Sequence, residues 1–335
     1  MNDKAAVFDQ CSQYAEYYCS LIAMSSERYL IMRPPVDVQV PAPASPVSDT
    51  DRRRLGRLGT AAPSLISLLR NPVLPTDQSR GLDVSQRSHG CQACRLPEQI
   101  FPFTVAFQPI VDIQESRIDA YEALVRGPDG EGAGQVLAQV NAENVYKFDQ
   151  ACRVKAIEMA AGLGMDRQLN INFLPNAVYE PRACIRATLD AAARTGFDPK
   201  RLTFEIVETE WIADTPHLLN IIAEYRRQGF KIALDDFATG YSGLSRLAEL
   251  KPDIVKLDRA LVKDCDKDRI RLAIVASMIA LGSEIGIKVV VEGVERRSEV
   301  DALRSVGARF MQGFYFAKPV VQGLSTDESI FPESI

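Results

Sequence analysis

Apolar residues along this chain fall into two textures. Up to about residue 97 they come as isolated pieces, YAEYYCSLIAM (14–24) and APSLISLLRNPVL (62–74). Between them lies PPVDVQVPAPASPVSDTDRRR (34–54), rich in Pro, Ser and Asp, without an apolar period; it reads as a linker. Each apolar piece reads as a short amphipathic helix that packs on the main domain or on a partner, too short to bury a core of its own. From about residue 103 the texture becomes regular. Short β-branched runs alternate with longer amphipathic segments. The strand candidates are TVAFQPIVD (104–112), IDAYEALVR (118–126), LNINF (169–173), LTFEIVE (202–208), FKIALDDF (230–237), DIVKLD (253–258), KVVVEGVE (288–295) and RFMQGFYFA (309–317). Helical patterns cover 135–161, 216–228, from Pro216 to a stop at Gly229, and 268–285. The last places Ile270, Ile274, Met278, Leu281 and Ile285 on one face, with Gly286 as its stop.

Strands apolar on both faces and joined by helices predict a parallel sheet. Eight of them match a closed (β/α)8 TIM-like barrel, for which about 250 residues is typical. The turn between the first two strands, DIQESRID, is too short for a parallel crossover. The first strand is therefore expected to run antiparallel. An open doubly wound sheet is the alternative, and the Gly-rich phosphate loop it usually carries after an early strand is missing. The expected division is a largely irregular segment, 1–97, and a barrel, 98–335.

Composition narrows the function. The 335 residues are 46% hydrophobic and 25% charged, as in a soluble globular protein. A net charge of −5 argues against a basic surface for duplex nucleic acid and leaves room for a small anionic ligand. No apolar stretch approaches the roughly 20 residues of a membrane span, and no signal peptide is legible. Seven scattered cysteines fit reduced thiols and a cytoplasmic setting. In HGCQACR (89–95), Cys91 and Cys94 have metal-ligand spacing, with His89 beside them, but one such pair supplies only two of four zinc ligands. The other histidine, His217 in DTPHLL, reads as a surface residue of a first helical turn capped by Thr215. A multi-histidine zinc centre is thereby excluded.

The chemistry lies where the strands end. Each strand from the second onward carries a polar residue in or after its apolar run: Glu122, Asn172, Glu205, Asp235 with Asp236, Lys256, Glu292 and Gln312. A parallel barrel brings those ends to one face. Taken singly, each is as well explained as a helix cap, a surface acid or a hydrogen-bonded buried group. Together they place five carboxylates against one lysine, a density that demands protonation or a cation. An all-oxygen donor set favours Mg²⁺ or Mn²⁺. The adjacent Asp235 and Asp236 can serve two ions about 3.5–4 Å apart.

At this point YEALVRG (121–127) resembles the signature of the EAL domain, the cyclic di-GMP-specific phosphodiesterase. FQPIVD, NINFLP, FEIVETE, DDFATGYSGL, DIVKLD, VVVEGVE and MQGFYFAKP follow in family order, over roughly residues 100–320. NFLPNAVYEP (172–181) looks most like the branch of the family often joined to blue-light sensors, although residues 1–97 do not look like such a sensor. The resemblance implies that Glu122, Asn172, Glu205 and Asp235 bind one metal ion, and Asp235, Asp236 and Glu292 the other. It makes Lys256 the holder of the bridging water, Glu208 the anchor of the DDF loop and Glu295 an outer acid. Arg126 matches a phosphate contact, and Gln108, Leu124, Gln312 and Pro319 match substrate contacts. The implied reaction is hydrolysis of cyclic di-GMP to linear pGpG by a two-metal-activated water, in a protein expected to be a homodimer.

One departure stands in the loop: Ala238 replaces the usual glycine after DDF, a strain of about 1 kcal/mol if that position needs positive φ. Two other functions compete. A non-catalytic EAL receptor would hold cyclic di-GMP or a protein partner without cutting, but such receptors generally lack ligands that this chain keeps. A barrel aldolase with Lys256 as Schiff base would leave the carboxylates unexplained.

Overall fold

The computed structural model describes residues 101–141, 143–175, 178, 180–207, 215–237 and 243–332. The expectations for 1–97, including His89, Cys91 and Cys94, and those for Glu208 and Ala238, lie outside the described residues.

The strands form a closed eight-stranded barrel. β1 (Thr104–Asp112) pairs antiparallel with β2 (Arg117–Arg126), and Asp112 explains the turn between them. Its Oδ1 accepts the amides of Gln114 and Glu115 at 3.1 and 3.3 Å, while Arg309 grips the same carboxylate from beneath β8. From β2 the order continues in parallel through β3 (Gln168–Asn172), β4 (Leu202–Val207), β5 (Lys231–Phe237), β6 (Ile254–Leu257), β7 (Lys288–Val291) and β8 (Phe310–Gln312). β8 returns antiparallel to β1 and closes the ring, which removes the open-sheet alternative. A two-residue strand, β9 (Val320–Val321), adds to β1.

Three expectations are corrected. The pattern over 135–161 is two helices, Ala133–Leu137 and Val145–Gly162. Asn141 and Asn144 divide it, because their side chains accept the amides of Glu143 and Asn141, bonds that compete with helix. The last two barrel strands are shorter than their apolar runs. Past Val291 and Gln312 the two segments turn and bond one another, Val294 N–H to Gln312 O and Tyr315 N–H to Val294 O. Finally, helix Arg269–Ile285 is rotated from the expected face: Met278 is buried and Leu281 packs on the core as expected, but Val275 and Gly282 are buried as well, whereas Ile270, Ile274 and Ile285 are exposed. Gly282 decides this, since a Cβ there would lie 2.5 Å from Val289, so only its face approaches β7 closely. Gly286 ends the helix at φ +74 as the pattern predicts.

Barrel strands project alternate residues inward. One inward layer is apolar: Ile110, Ala120, Ala233, Ile254 and Val290, with Phe310 packed against them. Lys288 lies over the Phe310 ring and pairs with Asp119 at 2.7 Å. Two residues further along, on the parallel strands or, for Glu292, just past the end of β7, stand Glu122, Asp235, Lys256, Glu292 and Gln312. The alternation that builds the plug therefore also builds the polar rim above it.

Candidate functional site

Lys256 is the centre of that rim. Its ammonium is 1% exposed and lies 2.8 Å from Glu292 Oε1, 3.0 Å from Glu205 Oε2, 3.1 Å from Asp235 Oδ1 and 3.4 Å from Glu122 Oε2. Four residues far apart in sequence thus meet at one nitrogen. Amides tie the acids together: Asn172 Nδ2 donates to Glu122 Oε1 at 3.3 Å, and Gln312 Nε2 to Glu122 Oε2 at 2.8 Å. Gln108 stands opposite Glu122 in the β1–β2 register, accepts from Gln312 at 3.4 Å and donates to Ala317 O at 3.2 Å.

Asp236 has an unusual backbone. Its φ is +52, and the β5–β6 register shifts between Leu234 and Phe237. Bulges of this kind re-aim side chains, and Asp is one of the few residues that enters the left-handed region readily. The two neighbouring acids consequently do not alternate across the sheet; Asp236 joins Asp235 and Glu292 instead.

One ammonium does not neutralise this many carboxylates. Burial, and then their neighbours, push Glu205, Asp235 and Glu292 above the ordinary carboxylate range, and Asp236 up to about 8. Burial works against the charge on Lys256, but Asp235, Glu122, Glu205 and Glu292 outweigh it and hold the lysine well above its usual value. The rim is short of positive charge.

Its geometry fits hard divalent ions. Glu122, Glu205 and Asp235 bring carboxylate oxygens within 4.8 Å of one another, and so do Asp235, Asp236 and Glu292. Asp235 belongs to both triplets. Neither contains histidine or cysteine, as oxygen-seeking ions require. Among the described residues Gln312 Oε1, which is buried, has no hydrogen-bond partner, so it is a further acceptor at the same place.

The remaining expected residues are more dispersed. Leu124 and Arg126 follow Glu122 at steps of two along β2, both half-buried, and Arg126 also donates to Val125 O at 2.7 Å. Pro319 lies half-buried between β8 and β9. Glu295 is not part of the cluster; it is paired with Arg259 at the rim's outer edge. His217 is half-buried, not on the surface, and bonds the Val178 carbonyl.

Two contributors escape a reading by strand ends. Asn170 donates to Glu205 Oε1 at 2.8 Å from within β3. The signal was LNIN itself, where asparagines two apart share one face of the strand. Asp258 caps helix Arg259–Val262 through the Ala260 amide, and its charge helps to raise Asp236.

The EAL domain family model matches residues 98–319. A standalone versatile EAL protein from Vibrio cholerae O395, solved in a c-di-GMP-bound form, is 45% identical with TM-score 0.67, covering 70% of this chain and 98% of that one. BlrP1 of Klebsiella pneumoniae, in a manganese and cyclic di-GMP complex, is 37% identical with TM-score 0.65, covering 69% and 58%. PdeG of Escherichia coli, described as a probable cyclic di-GMP phosphodiesterase, is 30% identical over 234 residues, 66% of this chain and 45% of PdeG. The match spans between 17% and 55% of the length of curated relatives such as PdeG.

Proposed function

The chain belongs to the EAL domain family, and from that premise we propose that it hydrolyses cyclic di-GMP to linear pGpG and so lowers the second messenger. The observation that carries this reading is the meeting of Glu122, Glu205, Asp235 and Glu292 at Lys256 Nζ, in two oxygen triplets that share Asp235. Glu122, Asn172, Glu205 and Asp235 would hold one divalent ion, Mg²⁺ or Mn²⁺, and Asp235, Asp236 and Glu292 a second. When bound, such a pair lowers the pKa of a water between them and steadies the oxygen that leaves phosphorus.

This chain's own residues do the rest. Lys256 orients the attacking water, its ammonium being fixed among the carboxylates. Arg126 presents paired donors to a phosphate oxygen. Gln108, Leu124, Gln312 and Pro319 line the dinucleotide's path, with Gln312 held by Glu122. Glu295 steadies the segment after Glu292 through Arg259, and Glu208 takes a supporting role by family resemblance alone. Residues 98–335 are the catalytic unit and 1–97 a separate preceding segment. A homodimer in the cytoplasm belongs to the same reading. Among the described residues no helix is long and apolar enough to cross a membrane.

Incubating the purified full-length chain with cyclic di-GMP and Mg²⁺, then separating the products, tests the proposal. Linear pGpG is expected. Undiminished cyclic di-GMP bound at full occupancy would favour the receptor reading.

A further inference from the structure

Helix Val145–Gly162 carries an ion pair that the reaction does not use. Asp149 and Arg153 sit one turn apart, with Arg153 NH2 2.7 Å from Asp149 Oδ2 and side chains 4% and 1% exposed. Pairs at this spacing normally lie on helix surfaces. Once buried, an apolar pair of the same volume serves stability as well or better. What an apolar pair lacks is a directed acceptor. Asp149 Oδ1 spends its free lone pairs on the Leu174 amide, 3.0 Å away.

That amide belongs to the second residue after Asn172. The intervening Phe173 N–H bonds Glu205 O at 3.2 Å, so the chain leaving β3 is fastened on both sides, by β4 and by Asp149. Arg153 is fixed in turn: its Nε and NH1 reach Asp149 O and Tyr225 Oη, both at 3.4 Å. The Tyr225 ring packs on Phe173 with centroids 5.4 Å apart. Phe173 and Leu174 are both buried, so their direction is set by these contacts and not by solvent. Among the described residues the Asn172 side chain makes one hydrogen bond, 3.3 Å to Glu122 Oε1, and it relies on its backbone, laddered to β4, for placement.

We propose that Asp149, held by Arg153, is a positioning residue for Asn172, and that its bond to the Leu174 amide sets how tightly the rim takes up a divalent ion. The inference rests on the metal reading given above. Outer contacts that orient a metal ligand typically change affinity 10–100-fold when removed.

Two double variants separate positioning from bulk stability. Asp149→Leu with Arg153→Met removes the charges and the acceptor together. Asp149→Asn with Arg153→Met removes the charges but leaves an amide oxygen for Leu174. The full-length proteins are titrated with Mn²⁺, and free ion is followed by its paramagnetic resonance. The first variant is expected to fold, by its melting curve, yet to bind Mn²⁺ on the order of 10–100-fold more weakly, and the second to recover most of that loss. Wild-type affinity in the folded first variant, or equal loss in both, overturns the proposal. No Mn²⁺ uptake by the wild type sinks the metal reading itself, which is a distinct failure. A measurement on the wild type alone needs no variant to fold: saturating Mg²⁺ must slow exchange of the Leu174 amide roughly tenfold or more, because coupling is reciprocal. Unchanged exchange also overturns the proposal.

Discussion

Lys256 Nζ lies 3.0 Å from Glu205 Oε2, with the lysine side chain 1% exposed and the glutamate not exposed at all. Neither charge can turn to water, so each depends on the other. Removing one partner of a buried pair costs about 3–5 kcal/mol. At roughly 2–4 °C per kcal/mol for a domain of this size, metal-free Lys256→Met should melt roughly 6–20 °C below the wild type. Millimolar Mg²⁺ should return much of that loss by supplying the missing positive charge, while activity stays absent. An unchanged metal-free melting temperature would show that the lysine is not the rim's counter-cation.

Asp236 gives the account its pH dependence. Its folded-state pKa is raised, by burial first and by Asp235 next, to about 8. Unfolded, it loses its proton near 3.8. Between those values the folded chain holds a proton that the unfolded chain has released, so this group's contribution to metal-free stability declines as pH climbs through that window. A cation entering the rim must displace the same proton. From Asp236 alone, Mg²⁺ affinity is therefore expected to rise up to about tenfold per pH unit below 8, and more steeply wherever Glu205, Asp235 or Glu292 also holds a proton. Calorimetry in two buffers of different ionisation heat measures the released protons. Zero release at pH 7 would refute the assignment.

Asn170→Leu tests the outer support of the rim. The substitution removes the 2.8 Å bond to Glu205 Oε1 and leaves that carboxylate oriented from its other oxygen, by Lys256. Metal affinity should fall by roughly 10–100-fold. Turnover at saturating metal should change far less. A fall in turnover with metal affinity intact would move Asn170 from supporting the ligand to the chemistry itself.

The barrel and its rim were legible because one periodicity produces both. Runs such as FKIALDD and DIVKL alternate inward and outward, and the same step of two that buries Ala233 and Ile254 delivers Asp235 and Lys256 to the rim. Asn170 was hidden by its place within a strand instead of at its end. Asp149 was hidden because an acid four residues before an arginine on a helix ordinarily reads as a solvated pair. The inward face of helix Arg269–Ile285 was misread for a third reason. Isoleucines lie on more than one side of it, and hydrophobicity alone does not reveal that Gly282 sets the closest approach. β7 and β8 ended early because their apolar residues continue into loops that pack on each other, and an apolar run does not report where a ladder stops.

Gly313 follows Gln312 at a point where two backbones nearly touch. A Cβ there would fall 2.0 Å from Val294 O and 2.3 Å from Val294 N. Backbone cannot step aside as a flexible side chain does. Gly313→Ala should cost about 1–3 kcal/mol of stability and weaken substrate binding through displaced Gln312. Denaturant unfolding combined with KM for cyclic di-GMP checks both, and a variant unchanged in each would show that the two segments separate more readily than their contacts imply.

The proposed function requires two divalent ions, taken up by the two oxygen triplets that share Asp235. Its most direct test is the stoichiometry of Mn²⁺ on the full-length chain near pH 8 with cyclic di-GMP present, for the wild type and for Asp235→Asn. Two ions per chain are expected in the wild type, both weakened in the variant because it removes a shared ligand. A wild type that takes up no ion, or a variant that keeps both at undiminished affinity, would contradict it.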